Sequence, residues 1–398
     1  MTRVGTLMLL LATSATTLGC RPRAEEGLDD GSTRTAPAAE WRHAHDGPGA
    51  GLDAVRGITI GPLENALHPG KGYGSGAFDR SLVDCQRMNA TWIAITPFGR
   101  VGDLEGKGVD PTFELPVEQN REAIRRAIRM AHARGLKVML VPHLWVESGE
   151  WRALIDPRTD AGWAAWAESY RRFALGWAAV AASEAAEMFS AGVELRSWVT
   201  SGHAPTFLAL LRDVRSVYPG IVTYSANWDD VDDTLILGSL DMIGINAFYP
   251  LADHDGATTP ELQEGGRRVR DRVHALAERW HKPVLFTEVG YTTRRDPAIR
   301  PWEWPDGMTR VGVDERAQAE AYRALIGPLL DEPDFAGFFV WRVYSDPDDV
   351  SQEAEWGFSP RGKRAELVLR DAFGAIWAGD AREGLGWPAA AQVPGLPF

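Results

Sequence analysis

From Arg56 onward the chain repeats one pattern: a short apolar run, a turn, then a longer segment with apolar residues at helical spacing. The runs are "GITIGP" (57–62), "TWIAITPF" (91–98), "KVMLVPHLWV" (137–146), "EMFSAGVEL" (187–195), "GIVTYSANW" (220–228), "DMIGINAFY" (241–249), "KPVLFTEVGY" (282–291) and "GFFVWRVY" (337–344). Between them, "PVEQNREAIRRAIRMAHARG" puts Asn120, Ile124, Ala127, Ile128 and Ala131 on one helical face, and Gly135 supplies the stop. "WAESYRRFALGW" repeats Trp166, Tyr170, Phe173 and Trp177 at helical spacing, the signature of a packed face. A further helix is predicted from Asp314, with Tyr322, Leu325, Ile326 and Leu329 inward, and a weaker one in "DDVDDTLILGS". The acidic cluster there lacks the glycine and closing glutamate of a calcium loop and reads as a solvated cap.

Alternating strands and helices imply parallel strands, and eight such units predict an α/β fold, a (β/α)8 TIM barrel forming one catalytic domain over residues 55–378. A doubly wound open sheet would want a glycine-rich phosphate turn after its first strand. "GPLENALHPGKGYGSGAF" does not follow that fingerprint; its "GKGYGSG" opens no clear helix and reads as a loop at the barrel mouth.

The net charge of −13 excludes nucleic acid as a partner, since phosphate binding needs a basic surface, and leaves an uncharged substrate open. Sixteen tryptophans are an unusual number, and their flat apolar faces with a polar tip suit stacking on sugar rings. At the N-terminus Arg3 precedes "VGTLMLLLATSATTLG", which ends at Cys20. "TTLGC" resembles a bacterial lipoprotein signal, with Thr17 where leucine is commoner. Residues 1–20 are therefore expected to be a signal peptide, with Cys20 lipidated and the protein anchored to the cell envelope. An ordinary secretory signal with an incidental cysteine is the alternative. Residues 21–54, rich in Ala, Gly, Pro, Thr, Asp and Glu, read as a flexible tether, and 379–398 as an aperiodic tail. The two histidines of "HAHD" (43–46) are too few to assign a metal, and the expected chemistry needs neither metal nor cofactor. Cys85 is the single cysteine besides Cys20, so no intrachain disulfide framework exists; it reads as a buried helix residue. A monomer is expected.

In a barrel the active site lies at the carboxyl ends of the strands. Those ends carry Pro97 and Phe98, His143 and Trp145, Glu194, Asn227 and Trp228, Asn246 and Tyr249, Glu288, and Trp341. Glu194 closes the fourth run and Glu288 the seventh, on opposite sides of a small barrel, so their side chains can approach across the mouth. Two carboxyl groups flanking a glycosidic bond are the minimum equipment for its hydrolysis. A structural ion pair explains either glutamate alone; the pair among Trp, Tyr, His and Asn favours catalysis. The apolar "MFSAGV" before Glu194 is expected to favour its protonated form, and Tyr249 is a candidate hydrogen-bond donor to Glu288.

With "KVMLVPHLWV", "AGVEL", "MIGINAFYPL", "LFTEVGY" and "GFSPRGKRAEL", residues 56–376 resemble the retaining (β/α)8 glycoside hydrolases of clan A, and within it family 113, the endo-β-1,4-mannanase-like enzymes. The resemblance implies acid/base work by Glu194, nucleophilic attack by Glu288, and a sugar platform at Trp341. His143, Trp145, Asn246 and Tyr249 would line the same subsite or its neighbours, with Asn227 and Trp228 beside them. Two positions depart from the pattern. Val193 stands where many clan members place an asparagine that binds the sugar 2-hydroxyl, a contact then falling to Asn227 or Asn246. Arg364 stands where a proline is expected, altering the start of the last helix. Trp302 and Trp304 in "RPWEWPDG" are further subsite aromatics or a lid. Another β-linked glycan as substrate, or a non-catalytic glycan-binding lipoprotein, remain the rival readings.

Overall fold

The computed structural model describes residues 54–63, 68–303, 311–349 and 353–378. The signal, nearly all of the tether, the C-terminal tail and Trp304 lie outside these residues. Ten strands follow one another as β1 (Val55–Gly61), β2 (Trp92–Ile95), β3 (Phe98–Val101), β4 (Lys137–Leu140), β5 (His143–Val146), β6 (Met188–Val193), β7 (Ile221–Asn227), β8 (Ile243–Asn246), β9 (Val284–Val289) and β10 (Phe335–Tyr344). Eight of them close a parallel barrel in the order β1, β2, β4, β6, β7, β8, β9, β10 and back to β1. The predicted barrel is therefore the fold.

Two of the predicted runs are each two strands. "TWIAITPF" breaks at Pro97 between β2 and β3, and "KVMLVPHLWV" breaks at Pro142 between β4 and β5. Proline brings no N–H to a sheet ladder, so pairing is interrupted there and resumes beyond it. β3 and β5 form their own parallel ribbon, with Phe98 opposite His143. That ribbon extends past the barrel rim and carries His143 to the mouth.

The helices are α1 (Gly76–Arg87), α2 (Val117–Ala133), α3 (Asp160–Ser183), α4 (Arg196–Val199), α5 (Ala204–Val217), α6 (Thr259–Trp280), α7 (Glu315–Leu330) and α8 (Arg364–Gly374). α2 buries the predicted face, Asn120 included, and α3 buries Trp166, Tyr170, Phe173 and Trp177. α7 starts where Asp314 caps it, accepting a hydrogen bond from the Ala317 N–H. Two expectations need correction. "GKGYGSG" does lead into a helix: Ser75 accepts from the Phe78 N–H and caps α1. "DDVDDTLILGS" forms only two 3-10 turns, Val231–Asp233 and Leu237–Ser239, so the connection from β7 to β8 lacks an α-helix.

The core has two layers. Inside the barrel, Val55, Trp92, Met139, Met188, Leu285 and Phe339 fill the axis. A larger shell of aliphatic and aromatic side chains lies between the strands and the helices. Cys85 belongs to this shell, and burial pushes its thiol up to about 12, so it is an apolar filler. The departure at Arg364 also has a local reason, because its backbone N–H, which proline lacks, donates to Glu315 Oε2 at 3.1 Å.

α6 and α7 touch backbone to backbone. A Cβ at Gly266 would stand 1.9 Å from the Ala324 carbonyl oxygen, with no flexible side chain there to yield. Gly266→Ala is expected to cost roughly 3 kcal/mol as α7 is forced outward. Urea denaturation checks this; an unchanged midpoint would show that the helix pair tolerates the separation.

Candidate active site

β9 delivers Glu288 to the mouth as a buried side chain, only 5% exposed. An ionised carboxylate in such a place needs a partner. His143 supplies it, with Nε2 3.0 Å from Glu288 Oε1. The other imidazole nitrogen, Nδ1, lies 2.8 Å from the Val141 carbonyl oxygen. A carbonyl only accepts, so Nδ1 carries a proton, and the contact to Glu288 needs a second proton on Nε2 or on the carboxyl. The pair thus shares one proton and is held in a fixed orientation. Glu288 Oε2 has no partner among the described residues and remains open to solvent. Trp341 stacks with His143 at 5.8 Å and 22°, and Phe98 lies 5.2 Å from the same imidazole.

Glu194 sits one residue past β6 with φ of +51°, a left-handed conformation that a non-glycine residue adopts at a cost of about 1–2 kcal/mol. Strain of this kind gathers at functional sites because the surroundings over-determine it. Here the surroundings are three donors. Asn246 Nδ2 donates to Oε1 at 3.1 Å. Trp151 Nε1 donates to Oε2 at 2.9 Å, and Arg152 Nη2 pairs with the same oxygen at 3.1 Å. The apolar setting expected from "MFSAGV" is therefore confined to the strand, and the carboxylate itself is met by polar groups.

Asn246 joins the two glutamates. It lies opposite Glu288 in the β8–β9 register while its amide reaches Glu194, and Thr287 Oγ1 fixes the amide by donating to Oδ1 at 2.9 Å. Glu194, Glu288, His143, Asn246 and Trp341 thus come together at the carboxyl end of the barrel.

The other sequence candidates stand around this group, Asn227 directly opposite Asn246 in the β7–β8 register, without a hydrogen bond to either glutamate among the described residues. Tyr249 packs between Phe286, Trp228 and the Arg272 guanidinium, and its buried hydroxyl has no hydrogen-bond partner among the described residues. It gives nothing to Glu288, because Tyr249 falls three residues beyond the end of β8 and turns towards α6. Asn227 donates its amide to Asp229 Oδ1 at 2.6 Å. Each asparagine amide thus spends one of its two N–H groups inside the protein, Asn227 on Asp229 and Asn246 on Glu194. Trp228 stacks on Trp302 at 5.3 Å, a pairing of two mouth loops. Trp145 is 49% exposed and, among the described residues, its one aromatic contact is Phe113, which places it on the outer rim of the ribbon.

Besides Arg196, which supports one of them, four residues that matter here escaped the sequence reading. Trp151 and Arg152 stand in "GEWR", a polar loop with no periodicity, and only its place after a barrel strand hints at the mouth. The Arg196 guanidinium lies 4.8 Å over the Trp151 ring and is itself held by Asp229 and Asp230. The acidic cluster read as a solvated cap is therefore partly a clamp. Burial pushes the Asp230 carboxyl up to about 6, against the pull of Arg196.

Glu114 is the third. It accepts from the Phe98 N–H at 3.3 Å and from Asn120 Nδ2 at 2.8 Å, which explains the polar residue on the buried face of α2. Burial pushes its carboxyl up to about 7, beyond what these hydrogen bonds restore. A carboxyl raised on folding binds its proton more tightly in the native state, so stability falls as pH rises from about 4.5 to about 7. Glu114→Gln is expected to flatten that dependence, removing a slope of roughly 3 kcal/mol across the window. Denaturation midpoints at pH 4.5 and 7.5 measure it; an unchanged difference between the two pH values would mean that Glu114 is not its source. Arg342, the fourth, lies beside Trp341 and is taken up below.

A closed (β/α)8 barrel that brings a glutamate from the end of its fourth strand together with one from its seventh has the architecture of a glycoside hydrolase. The sequence profile of Glycoside Hydrolase Family 113 matches residues 69–363, and the chain belongs to that family. Among solved structures, it is similar to the family 113 β-mannanase AaManA from Alicyclobacillus acidocaldarius in complex with ManMIm. The identity there is 27% and the TM-score 0.69, covering 83% of this chain and 100% of that one. A family 113 β-1,4-mannanase complex aligns at 22% identity and a TM-score of 0.68, over 81% of this chain and 99% of the other. The fold extends to the β-glucuronidase of Ruminococcus gnavus, at 13% identity and a TM-score of 0.53, over 82% of this chain and 52% of that one. No curated protein sequence matches the chain.

Proposed function

We propose that this glycoside hydrolase is a retaining β-mannanase, cleaving β-1,4-linked mannan or a related hemicellulose by double displacement. The observation that carries the reading is the unequal treatment of the two glutamates. Glu288 has one oxygen fixed by His143 and the other open, as an attacking carboxylate needs. Glu194 has both oxygens oriented by donors from three side chains, as a group aimed at a leaving oxygen needs. In the first step Glu288 Oε2 bonds to the anomeric carbon while Glu194 gives its proton to the departing glycosidic oxygen. In the second, Glu194 takes a proton from water, whose oxygen displaces Glu288 from the sugar. Two inversions leave the product with its starting configuration. The mannan assignment is supported by the family and by the β-mannanase relative.

The test follows the anomer of the first product from a β-1,4-manno-oligosaccharide by NMR. Initial β-product supports the reading; initial α-product would mean inversion, and no cleavage of this or other β-glycans would leave a binding protein. The "TTLGC" motif further supports export and lipid anchoring through Cys20. Cys20→Ser is then expected to move the protein from the membrane fraction to the soluble one.

A further inference from the structure

Arg342 follows Trp341 on β10, and its guanidinium lies 4.6 Å over the Trp341 ring and 4.9 Å over the Tyr344 ring. Nη2 donates to Tyr344 Oη at 2.8 Å. Among the described residues that is its only hydrogen bond, Nε is buried with no acceptor, and no ion pair reaches the group. Glu353 feels the charge of Arg342, yet its carboxylate is taken by the backbone N–H groups of Phe358 and Ser359. A half-buried cation is thus held between two aromatic faces, with one of its five N–H donors spent on Tyr344, beside the side chain of the proposed sugar platform.

We infer that Arg342 makes this a subsite for a sugar bearing an anionic substituent, a carboxylate such as that of a hexuronic acid, next to the bond that is cleaved. The physical reason is desolvation. A sugar settling on Trp341 strips water from the guanidinium, and a neutral hydroxyl returns one hydrogen bond but no counter-charge. A carboxylate returns both, in the planar geometry that arginine matches and lysine does not. The net charge of −13 opposes long-range attraction of a polyanion, so the preference belongs to this one subsite.

The inference rests on the mouth being a glycan site, and the experiment separates the two. Binding of a β-1,4-manno-oligosaccharide and of the same oligosaccharide carrying one C6 carboxylate is measured by calorimetry on the full chain with Glu288→Gln, which holds substrate without turning it over. The same two compounds are then offered to the wild type as substrates. The expected result is at least about tenfold tighter binding of the carboxylated compound, the factor of one charge-assisted hydrogen-bonded pair. In an added Arg342→Gln substitution the ratio falls to about one, while Arg342→Lys keeps only part of it. Preference through Arg342 without hydrolysis of either compound would uphold the subsite and sink the proposed catalysis. Hydrolysis of the neutral compound with equal or weaker binding of the charged one would overturn the subsite alone. Binding of neither would overturn both.

Discussion

Glu288→Gln is expected to lose at least about a thousandfold in kcat/KM on manno-oligosaccharides, about 4 kcal/mol of barrier, while folding normally. The swap keeps the volume and leaves His143 an oxygen to donate to, so the stack of His143 on Trp341 stays in place. What disappears is the anionic Oε2 that would form the bond to the anomeric carbon. Stability and circular dichroism should match the wild type, which separates this loss from misfolding. A mannoside with fluorine at C2 and an activated leaving group would, in the wild type, leave a covalent adduct visible by mass spectrometry. The adduct should map to the peptide holding Glu288 and be absent from the variant. An adduct elsewhere, or a variant of undiminished activity, would remove Glu288 from the role.

The barrel was legible because its signal is repeated. Each strand is an apolar run near the length of a buried parallel strand, and the amphipathic faces of α2, α3 and α7 carry their own periodicity. Glu288 and Glu194 were legible for the opposite reason: each is a charge at the end of an apolar run, where a charge is costly. What could not be read was direction. Tyr249 and Asn246 lie in the same run, but the run stops being a strand at Asn246, so strict alternation no longer says where Tyr249 points. The ribbon of β3 and β5 was hidden because Pro97 and Pro142 interrupt runs without ending them. Trp151, Arg152, Arg196 and the Asp229–Asp230 clamp come from the connections that follow three different strands, and contacts between such connections leave no period in a sequence.

That frame of loop residues sets the expectation for Glu194→Gln. Acid catalysis matters in proportion to how badly the leaving oxygen needs a proton. On a manno-oligosaccharide, whose leaving group is a sugar hydroxyl, Glu194→Gln should lose about 10²–10⁴ in kcat/KM. On a dinitrophenyl β-mannoside, whose phenolate departs unprotonated, the first step should be nearly retained. The second step still lacks its base, so the variant should release a burst of phenolate and then stall. Azide, a nucleophile that needs no base, should restore turnover and yield the β-glycosyl azide. Trp151→Phe should shift activity in the same direction by a smaller factor, because it removes one of the donors that hold Oε2 while leaving a ring under Arg196. An equal loss on both substrates, with no rescue by azide, would show that Glu194 is not the acid/base. The strained backbone at Glu194 would then need another explanation, since, beside the bond from its backbone N–H to the Ser225 carbonyl, the side-chain contacts that accompany φ of +51° converge on its carboxylate.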